Sequence, residues 1–276
     1  MPKKNLSSSG QIGPLSVGNV VSASLRIYRD HFKSYLGLAL VASLWLFLPV
    51  IGWAKYSAIL GLISRLAFGE VSEKPETVSD ARRQVNPRMW SFLGAGILTF
   101  LIFFGVSLVG GIAMAILAGG AGAIFGQNYV IIGALVVVAV IAFLIIYIRI
   151  ISRLLIVELP LAIENNIGAS SAIARSWELT KGSVGRIQWI VFVGILVSLP
   201  VTIVVQILSS IVESVLKAVL GAESGILFFL VYFLLLLLLS FASGAIVTPF
   251  WQAMKAIIYY DLRSRKEGLG LQIRDR

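Results

Sequence analysis

The chain has 276 residues, of which 58% are hydrophobic and 13% are charged, and its mean hydropathy is +0.94. A soluble domain carries roughly 25% charged residues, so this composition excludes an ordinary soluble protein. The formal net charge is +10, and in a membrane protein the positions of basic residues indicate which side of the membrane each segment faces. The chain has no cysteine and one histidine. Disulfides and cysteine ligands are therefore excluded, little is left for metal chemistry, and we expect no metal and no cofactor.

Both ends of the chain are polar. Residues 1–14 are rich in Ser and Gly, and the first long apolar run begins only near Tyr35. That is too late for a cleaved signal peptide, whose apolar core follows a short basic start. We predict a retained disordered tail over residues 1–14, a single membrane domain over residues 15–268, and a basic tail over residues 269–276.

Long apolar runs predict membrane-spanning helices. A spanning helix needs about 20 mainly apolar residues, and its backbone polar groups must be satisfied within the helix. By this criterion the predicted spans are near residues 34–52, 53–69, 88–118, 128–150, 187–212 and 225–250. The second span is short and carries Lys55 and Arg65 near its ends. The alternative for it is an interfacial or re-entrant helix.

The distribution of basic residues favours six spans. With six spans and both termini in the cytoplasm, all of the 23 basic residues except Lys55 and Lys217 lie on the cytoplasmic side, as the positive-inside rule predicts. Without the second span, the basic cluster at residues 82–88 would lie opposite the cluster at residues 26–33. We therefore predict an all-α, polytopic transmembrane bundle of about six spans, in a bacterial inner (plasma) or thylakoid membrane.

Short motifs recur along the chain. Ile-Ser-Arg-Leu occurs at residues 63–66 and 151–154, and a glutamate follows each arginine by five residues. Residues 53–65 and 251–263 both begin with Trp and end with Arg. These repeats are compatible with three related helical hairpins, each entered from a basic interfacial segment, although matches among apolar residues also arise by chance.

The basic segments are the candidate functional regions. Residues 16–36 place apolar side chains at three- and four-residue steps with basic residues off that stripe, a pattern typical of an amphipathic helix. Such a helix binds anionic headgroups at about 1 kcal/mol per basic residue close to the surface; the alternative is a simple lead-in to the first span. The candidate lipid- or partner-facing residues are Arg26, Arg29, Lys33, Arg82, Arg83, Arg88, Arg175, Trp177, Lys181, Arg186, Arg263, Arg265 and Lys266.

No catalytic constellation is evident in the sequence. The titratable candidates are His31, Glu158, Glu164, Tyr259 and Tyr260, and they follow no pattern typical of acid–base catalysis. The predicted spans contain no well-buried carboxylate, which counts against ion-coupled transport. We predict a protein that is not an enzyme and has no catalytic residues. Aromatic and basic residues alternate near the C-terminus, but directly after a span they indicate a membrane-anchoring belt, and we expect no nucleic-acid partner.

Two stretches resemble a known family. Ala-Arg-Ser-Trp-Glu-Leu-Thr-Lys-Gly at residues 174–182 and Ile-Tyr-Tyr-Asp-Leu-Arg-Ser-Arg-Lys-Glu-Gly at residues 258–268 are similar to the membrane-domain family associated with glycerophosphoryl diester phosphodiesterases. The N-terminal half looks like a stand-alone, cyanobacterial-type branch without an assigned function. In family members with activity, a separate barrel domain supplies the catalytic histidine and carboxylates. The resemblance thus implies a membrane domain alone and no transfer of catalytic residues.

Three functions remain open from the sequence. The first is a scaffold or lipid-associated organiser that acts through its basic cytoplasmic face, with membrane lipids, anionic headgroups above all, and other membrane proteins as partners. The second is a passive channel or facilitator lined by glycines, Gln206, and Ser and Thr hydroxyls. The third is an accessory membrane domain for lipid-headgroup metabolism. The oligomeric state is not predicted.

Overall fold

The computed structural model describes residues 15–126, 128–220 and 225–268, and all regular secondary structure in these ranges is helical. The all-α prediction is confirmed for them, whereas the predicted tails at residues 1–14 and 269–276 lie outside the described residues. The helices are α1 (Val17–Asp30), α2 (Phe32–Trp45), α3 (Ile51–Val71), α4 (Val78–Val85), α5 (Met89–Phe125), α6 (Tyr129–Leu154), α7 (Glu158–Ile163), α8 (Ala169–Thr180), α9 (Val184–Leu220) and α10 (Gly225–Glu267), with a 3₁₀ turn at Asn86–Arg88 before α5.

Side-chain caps set several helix starts. Ser16 accepts a hydrogen bond from the backbone N–H of Asn19, Thr77 caps α4 through the N–H of Asp80, and Asn128 caps α6. Each cap satisfies a backbone donor that has no partner inside the helix. These polar residues therefore fix where α1, α4 and α6 begin.

Three consecutive pairs of helices pack against each other. The pairs are α2 with α3, α5 with α6, and α9 with α10, and each follows another helix, respectively α1, α4 and α8, of 14, 8 and 12 residues. The same order, one helix followed by a packed pair of helices, thus occurs three times, as three related hairpins would require. A common origin of the three units stays a prediction.

Four helical segments are long and apolar enough to cross a membrane: Val78–Phe125, Tyr129–Ile163, Val184–Leu220 and Gly225–Glu267. Within them α5 and α9 each have 37 residues and α10 has 43, which corresponds to about 55 and 65 Å. Large apolar side chains along their outer parts are exposed, including Val109, Ile145 and Phe229. So much contiguous apolar surface is typical of contact with lipid rather than water.

Buried residues concentrate at one end of these helices. We call this end the base: it comprises α1, α3, α4, α7 and α8, with residues 89–95 of α5, 152–154 of α6, 184–194 of α9 and 245–262 of α10. The largest fully buried side chains of the base include Leu62, Ile63, Leu159, Ile187, Met254, Ile257 and Tyr259. The base therefore has a protein core, while the outer halves of the four long helices do not.

The first two predicted spans, 34–52 and 53–69, correspond to α2 and α3. Helix α2 has 14 residues, about 21 Å, which is shorter than the roughly 30 Å of hydrocarbon in a bilayer. Helix α3 has 21 residues, but about half of them are buried within the protein. The predicted count of six spans is therefore not confirmed, because these two apolar runs owe part of their hydrophobicity to packing in the base.

The α2–α3 hairpin ends in an apolar tip. Leu44, Phe47, Leu48 and Ile51 are each about half exposed there. The Phe47 ring packs edge-on against Phe241 of α10, with ring centroids 5.1 Å apart. Residue 241 lies within the long apolar stretch of α10, so the tip lies beside a predicted span.

A strained turn joins the two helices of this hairpin. Val50 has φ 63° and ψ −69°, and the N–H of Ile51 donates to the carbonyl of Pro49 at 2.8 Å. This is a classic γ-turn, a rare conformation that a β-branched residue adopts only under strain. The exposed Val50 side chain gains little burial in return.

Replacing Val50 with glycine is expected to relieve this strain. Backbone strain of this kind costs about 1–3 kcal/mol, so Val50→Gly should raise the melting temperature of the protein in detergent. The matched control is Val41→Gly, at an exposed position inside α2, where glycine should destabilise the helix by about 0.5 kcal/mol. Equal destabilisation by both substitutions would show that Val50 is not strained.

Candidate functional site

Five of the predicted basic residues are exposed on two short helices of the base and their borders. Arg26 and Arg29 of α1 and Lys33 at the start of α2 form the α1 group; Arg82 and Arg83 of α4 form the α4 group. Helix α1 buries Val20, Val21 and Ser24, and it contacts α9 and α10. The predicted amphipathic helix is therefore present, with its basic face outward.

The α1 group is weakly neutralised by the protein itself. Arg29 lies 3.5 Å from Asp30, and the two side chains are 79% and 53% exposed. An exposed pair of this kind contributes between about 0 and 1 kcal/mol. The positive charge of this group thus remains accessible to external anions.

Other predicted basic residues are turned into the protein. Arg175 donates to Glu164 at 3.1 Å and to Glu267, and Arg263 donates to Glu267 at 2.7 Å. Tyr259 also donates to Glu164. Burial lowers the pKa of Arg175, but its hydrogen bonds with the two glutamates outweigh this and raise the pKa above its ordinary value. This network fastens α8 to the end of α10.

A second inward network is centred on Asp261, whose side chain is 4% exposed. It accepts hydrogen bonds or ion pairs from Arg186 at 2.9 Å, from Arg265 at 3.3 Å and from the backbone N–H of Leu15 at 3.0 Å. A carboxylate so deeply buried is stable only when it is paired. Asp261 therefore ties the segment before α1 to α9 and α10.

The remaining candidates have mixed surroundings. Arg88 donates to the carbonyls of Leu161 and Glu164, and Lys266 donates to the carbonyl of Glu178. Trp177 is 45% exposed, and the guanidinium of Arg153 lies 4.7 Å from the centre of its ring; Lys181 is exposed. From the sequence, the predicted basic residues form one cytoplasmic face. In the structure, some of them are exposed and others are turned into the protein.

Exposed aromatic side chains lie near the starts of three helices, close to the base. Phe32, Trp90 and Trp189 lie near the first residues of α2, α5 and α9 and are 43%, 52% and 64% exposed. Aromatic residues, Trp above all, concentrate where the bilayer meets water. Side chains of this kind suit a headgroup region, and Phe32 directly precedes Lys33 of the α1 group.

One polar cluster was not singled out from the sequence. Lys255 Nζ donates to Glu158 Oε1 at 3.0 Å. Ser64 Oγ lies 3.3 Å from the same oxygen and 2.9 Å from Gln252 Oε1. In the sequence, Glu158 is one of several titratable candidates and Lys255 is one of the basic residues assigned to the cytoplasmic side. They are 97 residues apart in the chain, and no spacing in the sequence indicates their pairing.

A cavity of about 240 Å³ adjoins this pair. Its polar lining is Ser57, Thr99, Glu158 and Lys255, and its apolar lining includes Phe92 and Leu161. Across residues 15–126, 128–220 and 225–268, no group of three His, Cys, Asp or Glu side chains has an arrangement that suits a metal ion. The arrangement can hold charges of both signs.

Comparison of the chain with protein-family models, with curated proteins and with solved structures finds no match. The resemblance to the phosphodiesterase-associated membrane domains therefore stays a prediction. Fold and composition define the coarser class: a helical protein whose four long apolar helices fit a membrane.

Neutralising Asp261 tests the inward network. Asp261→Asn leaves Arg186 and Arg265 without their charged partner, and breaking a buried ion pair costs about 3–5 kcal/mol. The free energy of unfolding in detergent should fall by about that amount. The control Asp30→Asn removes an exposed carboxylate and should change stability by no more than about 0.5 kcal/mol. Similar small effects from both substitutions would contradict the role given to Asp261.

Proposed function

We propose that this protein is a non-enzymatic, multi-pass membrane protein that organises lipids and partner proteins by binding anionic headgroups through its α1 and α4 groups. The observation that carries the proposal is the exposed cationic face of α1, which lies next to aromatic residues suited to the headgroup region. Ion pairs inside the base also support the proposal, because Arg175, Arg186 and Arg263 already bind carboxylates of the protein. The α1 and α4 groups are exposed basic clusters, and within the described residues no buried carboxylate of the base neutralises their charge.

The proposed topology has four full spans and a re-entrant α2–α3 hairpin, with both termini on the cytoplasmic side of a bacterial inner or thylakoid membrane. The short α2 and the apolar tip beside Phe241 support a hairpin that turns back within the hydrocarbon layer. The six-span arrangement is the alternative. Both place the basic segments on one side, so the positive-inside rule does not separate them.

Cysteine labelling distinguishes the two topologies, since the chain has no cysteine of its own. In intact cells a membrane-impermeant maleimide should label Gly120→Cys, at the outer end of α5, but not Ser79→Cys in α4. After permeabilisation Ser79→Cys should react, whereas Leu48→Cys at the hairpin tip should stay unlabelled. Labelling of Leu48→Cys in intact cells, as for Gly120→Cys, would establish a full crossing and contradict the re-entrant hairpin.

Lipid binding is tested by neutralising the α1 group. Each basic residue near an anionic surface contributes about 1 kcal/mol, so Arg26→Gln, Arg29→Gln and Lys33→Gln together should weaken binding of short-chain phosphatidylglycerol by about 100-fold. Native mass spectrometry of the detergent-solubilised protein measures this. Added salt should weaken binding to the unmodified protein as well.

The matched control keeps the charge and changes the side chain: Arg26→Lys with Arg29→Lys should retain most of the affinity. Unchanged phosphatidylglycerol binding in the three-residue Gln variant would contradict the proposal. So would equal binding of phosphatidylglycerol and a zwitterionic lipid to the α1 group.

The passive-channel alternative receives less support. Hydroxyls along α9 donate to carbonyls of the preceding turn of the same helix, which leaves them less able to line a water path. These residues are Ser198, Thr202, Ser209, Ser210 and Ser214. An accessory role in lipid-headgroup metabolism rests on the family resemblance alone.

A further inference from the structure

We infer that the cavity beside Glu158 and Lys255 is the headgroup end of a binding site for one zwitterionic membrane lipid, whose headgroup carries an ammonium and a phosphate. This site lies inside the base and is separate from the α1 and α4 groups. The inference does not rest on the proposed function, because it concerns different residues and a lipid of different charge.

The charges of the cavity specify the headgroup. Lys255 and Glu158 have side chains that are 19% and 21% exposed, and both line the cavity. A ligand with net charge would leave an uncompensated charge beside this largely buried ion pair, which is costly. A zwitterion leaves none, because its phosphate adjoins the Lys255 ammonium and its ammonium adjoins the Glu158 carboxylate. The hydroxyls of Ser57 and Thr99 add hydrogen-bonding groups to the lining.

An apolar groove lies farther along α5 and α6, two of the helices that line the cavity. It has a volume of about 550 Å³, and α5 and α6 line it with residues that include Val106, Gly110, Ala113, Leu117, Ala139, Phe143 and Ile146. Nearly all of its surface is apolar, as a site for a hydrocarbon chain requires. The cavity and the groove together have the polarity of an amphiphile, with one polar and one apolar end.

Helix periodicity places both features on one face of α5. Phe92 and Thr99 line the cavity, while Val106 and Ala113 line the groove. These four residues follow at steps of seven, and about two turns of 3.6 residues bring a side chain back to nearly the same direction. The step from Thr99 to Val106 is about 10 Å along the axis. A lipid with its headgroup in the cavity therefore has a path for its chain along the same face.

The shortness of α3 opens this face to the bilayer. Ser57 and Leu60 of α3 cover the cavity, but α3 begins at Ile51, about 9 Å beyond Ser57. The groove residues of α5 and α6 lie at and past that level. Helix α3 therefore covers one side of the headgroup end and leaves the chain end accessible from the membrane.

Gly96 offers a way to block the cavity without disturbing the ion pair. It lines the cavity, and a Cβ built there meets nothing within 4 Å. Gly96→Leu should fill the headgroup end, and the amount of phosphatidylethanolamine that copurifies with the protein, measured by native mass spectrometry, should fall at least about tenfold. The control is Gly111→Leu, at another open position of α5 that lines neither feature, and it should retain the lipid.

Two further variants keep the test decisive if Gly96→Leu folds poorly. Gly96→Ala is a smaller change at the same position and should give a partial loss. Ala113→Leu narrows the groove alone, so it should weaken binding of long-chain phosphatidylethanolamine while leaving a short-chain analogue bound. Equal lipid retention in Gly96→Leu, when its melting temperature matches that of Gly111→Leu, would overturn the inference.

The lipid class and its source are tested separately. Phosphatidylglycerol at the same mole fraction should not replace phosphatidylethanolamine in the site, and free phosphoethanolamine at millimolar concentration should not displace it. Equal occupancy by phosphatidylglycerol would overturn the recognition of a zwitterion. Displacement by free phosphoethanolamine would overturn the assignment to a membrane lipid. Neither result depends on anionic lipid binding at the α1 group.

Discussion

The packing of α3 against the second half of α10 is the contact on which the remaining structure depends. Helix α3 also contacts α2, α4, α5 and α7, while α10 also contacts α1, α2, α8 and α9. At their interface Ser64 donates to Gln252, and nearby Gly61 allows close approach of the Phe92 ring, which a Cβ would meet at 2.3 Å. Every other helix except α6 is held to this pair directly, and α6 is held through α5, α8 and α9.

The surrounding lipid explains why the closely packed, buried residues are concentrated in the base. In lipid, apolar side chains gain little by packing against one another, because the hydrocarbon is equally apolar. The outer halves of α5, α6, α9 and α10 therefore need few mutual contacts. Specific arrangement must come from close packing and from polar groups whose partners are fixed, and in this protein the Asp261, Glu164 and Glu158 networks supply it.

The sequence predicts part of this architecture well. Run length alone identifies the four long helices, and periodicity identifies the amphipathic α1. Hydropathy does not distinguish a membrane span from a packed helix at residues 34–69, because side chains buried in protein and side chains facing lipid are equally apolar. Only the position of Phe47 beside Phe241 and the burial of α3 distinguish the two environments.

The contacts of the candidate site could be predicted less well from the sequence, for a related reason. Counting basic residues locates a charged face, but it does not reveal that Glu164, Glu267 and Asp261 neutralise much of it. Those partners lie up to 92 residues away along the chain, and no local pattern specifies them. The cavity beside Lys255 is lined by residues of five helices, so it emerges only from their packing.

Hydrogen exchange followed by mass spectrometry in detergent tests the central role of the base most directly. The amides of α3 near Ile63 and of α10 near Ile257, both fully buried, should be the last to exchange and should lose protection together as denaturant is added. If the amides near Ile63 and those near Ile257 lost protection at clearly different denaturant concentrations, the packing of α3 against α10 would not be the contact that holds the base together.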